Sequence, residues 1–218
     1  MTARILIFRG GWAGHDPVPT SELVAKTLRE RGVEVDIQDT QACLLEPDLA
    51  ERYQVIVPVW TMGEIGKAEL QALIAAVQKG VAVGGWHGGA GDAFRQSTQY
   101  QFMIGGQWVA HPGGVIDYRV NIVQHDHPIL KGLKDFDMHS EQYYMHVDPN
   151  SNVLATTTFD ARHAEWIDGT VMPVVWTRRY GKGRVFYSSL GHVIADFERT
   201  PEVLEITVRG LMWAAGVL

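Results

Sequence analysis

The stretch Val81-Ala-Val-Gly-Gly85-Trp86-His87-Gly88-Gly89 is an apolar run that breaks into a glycine-flanked turn around one histidine. Read as strand–turn–helix, it has the form of a nucleophile elbow, in which small neighbours let a sharp turn push one side chain out above a sheet. Hydrolases place Ser or Cys there; this chain has His87. Imidazole gives or takes a proton near neutral pH, or binds a metal, but it seldom replaces a hydroxyl or thiolate as an acyl-transfer nucleophile. The elbow therefore points to acid–base or metal chemistry without the covalent step. The alternative is a Gly-rich turn with an incidental histidine.

Two other groups are expected beside His87. His192 follows Gly191 just beyond the apolar run Arg184–Ser188, so it too falls at the carboxyl end of a predicted strand. Glu141, with Tyr143 and Tyr144 close behind it, supplies a carboxylate. Two histidines and a carboxylate form a common set for zinc, manganese or a similar divalent ion, with a position open for water or a substrate carbonyl. Such an ion would polarise a keto group or lower the pKa of water. Without metal, the same three residues supply acid, base and orienting group for proton abstraction next to a carbonyl. Their separation along the chain leaves both versions open.

A second tier lines the same cleft. His15 lies in Gly11-Trp-Ala-Gly14-His15-Asp16 after the first predicted strand, where a Gly-rich loop brings backbone N–H groups close to an anion or a hydroxyl. The spacing is not Gly-x-Gly-x-x-Gly, so Asp36 and Asp39 do not argue for a dinucleotide. His111, in Ala110-His-Pro-Gly-Gly114, either reaches in from the loop after the elbow helix or belongs to an ordinary His-Pro-Gly turn. His125 and His127 precede Pro128 and read as part of a surface turn. The sole cysteine, Cys43, has none of the glycine context of an active thiol and reads as packing.

The elements that must hold these groups alternate in the first half. Ile5–Phe8, Val33–Ile37, Val55–Val59 and Val81–Val83 read as strands, and apolar residues throughout Val55–Val59 suit a sheet covered on both faces. A helix opening at Thr20 and stopped by Gly32, and an amphipathic helix over Lys67–Lys79, lie between them. This order predicts a doubly wound, mainly parallel sheet, whose ligands gather beyond the carboxyl ends of the strands. The second half reads as extra strands over Gly113–Val123, Asn152–Phe159, Ala164–Ile167 and Met172–Thr177, with Asp168-Gly169 as a hairpin turn. A short helix over Gln99–Ile104 and a closing helix over Pro201–Ala215 complete the reading.

Length and charge narrow the class. The 218 residues suffice for one well-buried core, and no linker or repeat divides them, so a single domain over 1–218 is expected. A net charge of −6 without a Lys/Arg cluster argues against nucleic acid, and no apolar run approaches membrane-spanning length. A cytoplasmic protein is the expectation.

Several segments carry a family resemblance. They are His127-Pro-Ile-Leu-Lys-Gly-Leu133; Glu141-Gln-Tyr143 before Asp148-Pro-Asn150; Pro173-Val-Val-Trp176; Tyr180-Gly-Lys-Gly-Arg-Val-Phe-Tyr187; and Leu190-Gly-His192. With Gly85–Gly89, Val208-Arg209-Gly210 and Trp213-Ala214, the match spans nearly the whole chain, which resembles the ThuA-like (trehalose utilisation) family. Ser140 departs from the acidic residue often found before the glutamate. The resemblance implies the flavodoxin-like core of class I glutamine amidotransferases and a role in disaccharide or 3-keto-sugar utilisation. In the amidotransferases the elbow residue is Cys and a His after a late strand is its base. Here His87 replaces the thiol, so Cys-dependent glutamine hydrolysis is not expected.

The resulting expectation is an enzyme that moves a proton beside the carbonyl of a keto-sugar, by isomerisation or elimination-type cleavage. His87, His192 and Glu141 form the reactive or metal-holding centre. His15, Trp12, Trp86, His111, Tyr143, Gly88 and Gly89 bind the sugar, the aromatic faces by stacking and the glycines by letting it approach the backbone. A non-catalytic sugar-binding protein and a hydrolase using metal-bound water are the alternatives. The partner is a small sugar, and a homo-oligomer fits the edge strands of the second half.

Overall fold

The computed structural model describes residues 2–218; Met1 lies outside the described residues. The first half runs β1 (Arg4–Gly11), α1 (Pro17–Glu30), β2 (Glu34–Gln38), α2 (Leu49–Arg52), β3 (Val55–Thr61), α3 (Lys67–Lys79), β4 (Ala82–Trp86), α4 (His87–Gly91) and α5 (Thr98–Ile104). Then come β5 (Gly106–Ala110), β6 (Val115–Ile122), β7 (Phe136–Glu141), β8 (Tyr144–Val147), β9 (Asn152–Thr158), β10 (Val171–Tyr180), β11 (Gly183–Ser188), α6 (Ile194–Arg199) and α7 (Pro201–Ala215).

Nine strands form one sheet in the order β2-β1-β3-β4-β11-β10-β9-β6-β7, and β5 pairs with β8 in a separate ribbon. The first five strands are parallel, and the strands beyond β11 are antiparallel. This is a flavodoxin-like, doubly wound sheet of the class I glutamine amidotransferase type, extended on one side by antiparallel strands. Burial follows the strand period of two. Ile5 and Ile7 of β1 pack with Val24 and Leu28 of α1 and with Ile206 and Leu211 of α7. Leu6 and Phe8 point to the opposite face, among Leu73 and Val77 of α3 and Met103 of α5. Helices thus cover both faces, which is why the parallel strands can be apolar throughout.

Registers bring the strand ends that matter together. Gly11 of β1 stands beside Thr61 of β3, and Ser188 of β11 beside Trp86 of β4. The loops that follow, carrying His15, Met62, His87 and Ser189, therefore open at one edge of the sheet.

Several expectations change. Helix α1 begins at Pro17 rather than Thr20: proline is preset for the first helical position, and Thr20 instead bonds back to the Asp16 carbonyl. Ala164–Ile167 is not a strand. Glu165–Ile167 is a 3-10 turn, and the loop between β9 and β10 is closed by Gly169 donating to the Phe159 carbonyl. Strands β5, β7 and β8 and helices α2 and α6 add to the expected elements; along β7, Phe136, Met138 and Ser140 are buried alternately. No helix among the described residues is long and apolar enough to cross a membrane.

Close packing of α7 on the sheet depends on one small residue. A Cβ at Gly210 would run into the ring of Phe186, which is fully buried in β11. Alanine favours a helix interior by about 1 kcal/mol over glycine, yet forcing a methyl group into a filled core costs about 1–3 kcal/mol. Gly210→Ala is therefore expected to lower the urea midpoint with an unchanged slope; an unchanged or higher midpoint would show that the Phe186 ring can give way.

Candidate functional site

Strand β4 ends at Trp86, and the chain turns at His87 with a left-handed φ of 42° before starting α4. A non-glycine residue in that region is strained, and the turn is fastened by the Tyr187 hydroxyl, which donates to the His87 carbonyl at 3.1 Å. The imidazole is 1% exposed. Its Nδ1 lies 2.9 Å from the Ser189 carbonyl oxygen. A carbonyl only accepts, so Nδ1 carries the hydrogen and Nε2 faces the Glu141 carboxylate, 3.2 Å from Oε2. An imidazole lone pair aimed at a carboxylate is unfavourable unless a proton or a metal cation stands between them.

Glu141 is the hub. Its Oε2 is 3.8 Å from His15 Nε2, and its Oε1 is 3.7 Å from His111 Nε2 and 3.8 Å from His192 Nδ1. Five segments meet here: the 3-10 turn Ala13–His15 after β1, the elbow after β4, the loop after β5, the end of β7 and the loop after β11. His15 is oriented by its Nδ1, 2.9 Å from the Thr61 hydroxyl oxygen at the end of β3. The rings of His15 and His192 lie 4.8 Å and 5.2 Å from that of His87, and Tyr143 stacks on His87 at 4.0 Å.

Burial and charge set the protonation states. Burial, with the neighbouring His87 and His192, lowers the His15 pKa to about 3 against the pull of Glu141. Burial, then His87, also lowers that of His192. Desolvation pushes the Glu141 carboxyl up, but the His87 hydrogen bond and the surrounding imidazoles outweigh it and bring the group down to about 2. Glu141 is thus an anion, and His15 a neutral imidazole, at any physiological pH.

The donor set fits a divalent ion. Ligand atoms of His15, His87 and Glu141 lie within 4.8 Å of one another. Donors about 2.1 Å from a tetrahedral ion stand roughly 3.4 Å apart, and the 3.2 and 3.8 Å separations from Glu141 Oε2 bracket that. Anchoring Nδ1 on a carbonyl, as Ser189 does for His87, is how metal-binding histidines are commonly fixed in tautomer and angle.

The other expected residues divide. His192 and His111 meet Glu141, but the tightest three-residue set holds His15 where the sequence reading placed His192. Gly88 lies where the rings close: a Cβ there would strike His15 and approach the Tyr143 hydroxyl to 3.0 Å. Trp12, half exposed, packs edge-on to His15 at 4.8 Å on the rim. Trp86 does not line the cleft. Alternation along β4 turns it to the α6 and α7 side, where it is buried against Phe197 at 6.2 Å. Gly89 packs instead on the backbone of β3, with a Cβ position 3.1 Å from the Val59 Cα.

Sequence reasoning missed Thr61 and the Ser189 carbonyl, which orient His15 and His87. Asp92 and Arg95, expected only to flank the short helix after the elbow, and Trp108, one of the aromatics that could stack on a sugar, instead form a wall beyond Tyr143. There Arg95 grips the buried Asp92 through Nε at 2.5 Å and Nη2 at 2.8 Å. The same guanidinium covers the Trp108 ring at 4.6 Å. No local pattern announces that a backbone carbonyl or a lone threonine will hold a histidine ring in place. Cys43 is remote from the elbow, and burial lifts its thiol to about 11, so no thiolate is available.

The fold agrees with the comparisons. The profile of the ThuA family, described as trehalose utilisation, matches residues 4–214. A ThuA-like protein from Parabacteroides merdae ATCC 43184 superposes with a TM-score of 0.76 at 21% identity, over 99% of this chain and 90% of that one. Another from Bacteroides uniformis ATCC 8492 gives 0.77 at 18% identity, over 98% and 91%. A β-galactosidase from Bacillus circulans sp. alkalophilus shares the fold at a TM-score of 0.61 and 15% identity, over 98% of this chain but 30% of that protein. No curated protein matches. With its profile matched almost end to end, the chain belongs to the ThuA (trehalose utilisation) family.

Proposed function

We propose that this chain is an enzyme of carbohydrate utilisation that moves a proton beside the carbonyl of a small keto-sugar or keto-glycoside. The observation that carries the reading is the meeting of four imidazoles on one buried carboxylate, at the strand edge where ligands of this fold gather. The family's link to trehalose utilisation supports a sugar as the substrate. The half-exposed Trp12 and the partly exposed His111 offer faces for a pyranose ring, while Tyr143, buried against His87, backs the site instead of presenting a face.

His15, His87 and Glu141 would hold a divalent ion such as zinc or manganese. When bound, it supplies Lewis-acid polarisation of the substrate carbonyl. His192, kept neutral by burial, accepts the proton from the carbon next to the carbonyl, and the C–H electron pair passes into the enolate. His111, the most exposed of the four, then delivers a proton. Delivered to the enediolate, it completes an isomerisation. Delivered to a β-oxygen whose C–O bond breaks, it completes an elimination. Burial of Glu141 and His87 excludes water, which strengthens the pull of both on a proton or cation held between them.

Two measurements test this. Keto-sugars incubated with the protein in D2O should incorporate deuterium at the carbon beside the carbonyl, read by NMR. Glu141→Gln and His192→Ala should each slow that exchange by about 10²–10⁴-fold. Keto-sugars that bind without exchange or cleavage would overturn the enzyme reading in favour of a binding protein. Separately, protein purified without added metal or a histidine tag should carry near-stoichiometric divalent metal by elemental analysis, lost in His87→Ala and Glu141→Gln. A folded, metal-free wild type that still catalyses exchange would remove the ion and leave the acid–base route.

A further inference from the structure

Asp196 is 5% exposed and has no Lys, Arg or His within salt-bridge distance among the described residues. Burying a carboxylate without a cation is expensive, so its retention calls for a reason. One of its oxygens, Oδ2, accepts two hydrogen bonds: from the Ser140 hydroxyl at 2.5 Å and from the His192 backbone N–H at 2.9 Å. Ser140 immediately precedes Glu141 at the end of β7, and Asp196 sits in the first turn of α6.

We propose that Asp196 is the positioning residue of the His/Glu centre, joining the Glu141 strand to the His192 loop through that single oxygen. The inference rests on the centre described under Proposed function. A local helix-capping role accounts for only one of the two bonds: an acidic residue in the first turn often reaches back to an N–H just before its helix. The bond to Ser140 is different. It crosses from α6 to β7, between residues far apart in the chain, and ends one residue from the hub carboxylate. Among the described residues no other side chain is hydrogen-bonded to both segments.

A second carboxylate acts on the same loop from the other side. Asp16, next to His15 and in a left-handed conformation, accepts from the Ile194 N–H through Oδ2 at 3.1 Å. The loop carrying His192 is thereby tied to the neighbours of both Glu141 and His15. Tyr118, from β6, closes the floor with its hydroxyl 3.4 Å from the Glu141 carbonyl oxygen. Outer partners of this kind fix ring angle and donor spacing, and their loss typically weakens metal affinity or activity 10–100-fold.

The test uses the full-length protein with Asp196→Ala, Asp196→Asn and Ser140→Ala. Long-range ¹H–¹⁵N spectra of the histidine rings, taken without metal, report each ring separately. Asp196→Ala should shift or broaden the His192 signals while His125 and His127, which follow the end of β6 opposite the one paired with Glu141, keep theirs. Asp196→Asn retains an oxygen that can accept both bonds and should return His192 close to its wild-type position. Ser140→Ala, a milder change that spares the fold if Asp196→Ala does not, should move His192 in the same direction. In parallel, Zn2+ titration calorimetry should show binding about 10–100-fold weaker in Asp196→Ala. Unmoved His192 signals in both alanine variants, or equal movement of every histidine, would overturn the positioning role. A wild type with neither Zn2+ binding nor keto-sugar turnover would defeat the reading of the centre instead, and the ring spectra would still decide the role of Asp196.

Discussion

A carboxylate nine-tenths buried has to be answered by charge or hydrogen bonding, and at Glu141 the answer comes from imidazoles. An arginine or lysine would neutralise the group permanently. Neutral imidazoles leave lone pairs beside it, so the cluster is balanced by a proton or a metal ion that can come and go. That choice governs the architecture around it. Four histidines can meet one carboxylate only if four separate loops converge, and each loop must start from a strand end of fixed position. The parallel order β1-β3-β4-β11 provides adjacent carboxyl ends for the segments bearing His15, His87 and His192. The antiparallel extension is what returns β7, with Glu141, to the same place.

The convergence is held under strain. The non-glycine residues with left-handed φ are Asp16, Met62, His87 and Phe94. Asp16 adjoins His15, Met62 follows Thr61, and His87 is the elbow itself. Met62 and Phe94 are bonded to one another through the Phe94 N–H and Met62 carbonyl, below the wall that holds Asp92. Backbone of this kind costs of order 1–3 kcal/mol per residue and persists only where surrounding contacts over-determine it. Here the surroundings are the two apolar cores on either face of the sheet, which leave the edge free to adopt costly conformations.

The comparison with amidotransferases acquires a physical content at this edge. The elbow is retained as geometry: strand, left-handed residue, short helix, with the side chain thrust above the sheet. What occupies it has changed, and the change propagates. A thiol needs one base; an imidazole at the same point faces the Glu141 carboxylate, and three further histidines meet that carboxylate. The same turn therefore presents a histidine cluster, and fold alone does not fix what it does.

Much of this was legible in the chain itself. Apolar strands, glycine-stopped helices and the run into Gly84-Gly85 fix the doubly wound half and single out His87, because period and turn chemistry are local properties of adjacent residues. Position after a strand marks His15 and His192 in the same way. Other features depend on which face a residue takes or on what lies across the sheet, and these needed the tertiary structure. Trp86 looks like a cleft residue from its neighbours, yet strand alternation turns it into the core against Phe197. His15 rather than His192 completes the tightest donor set because Thr61, at the end of a different strand, fixes its ring. The tautomer of His87 is decided by a backbone carbonyl 102 residues away in sequence, and the Glu141 strand is tied to the His192 loop by Asp196 across 56. Sequence determines which side chains are thrust out at the edge; only the folded chain decides which atoms face one another, since hydrogen-bond geometry between distant segments leaves no local pattern.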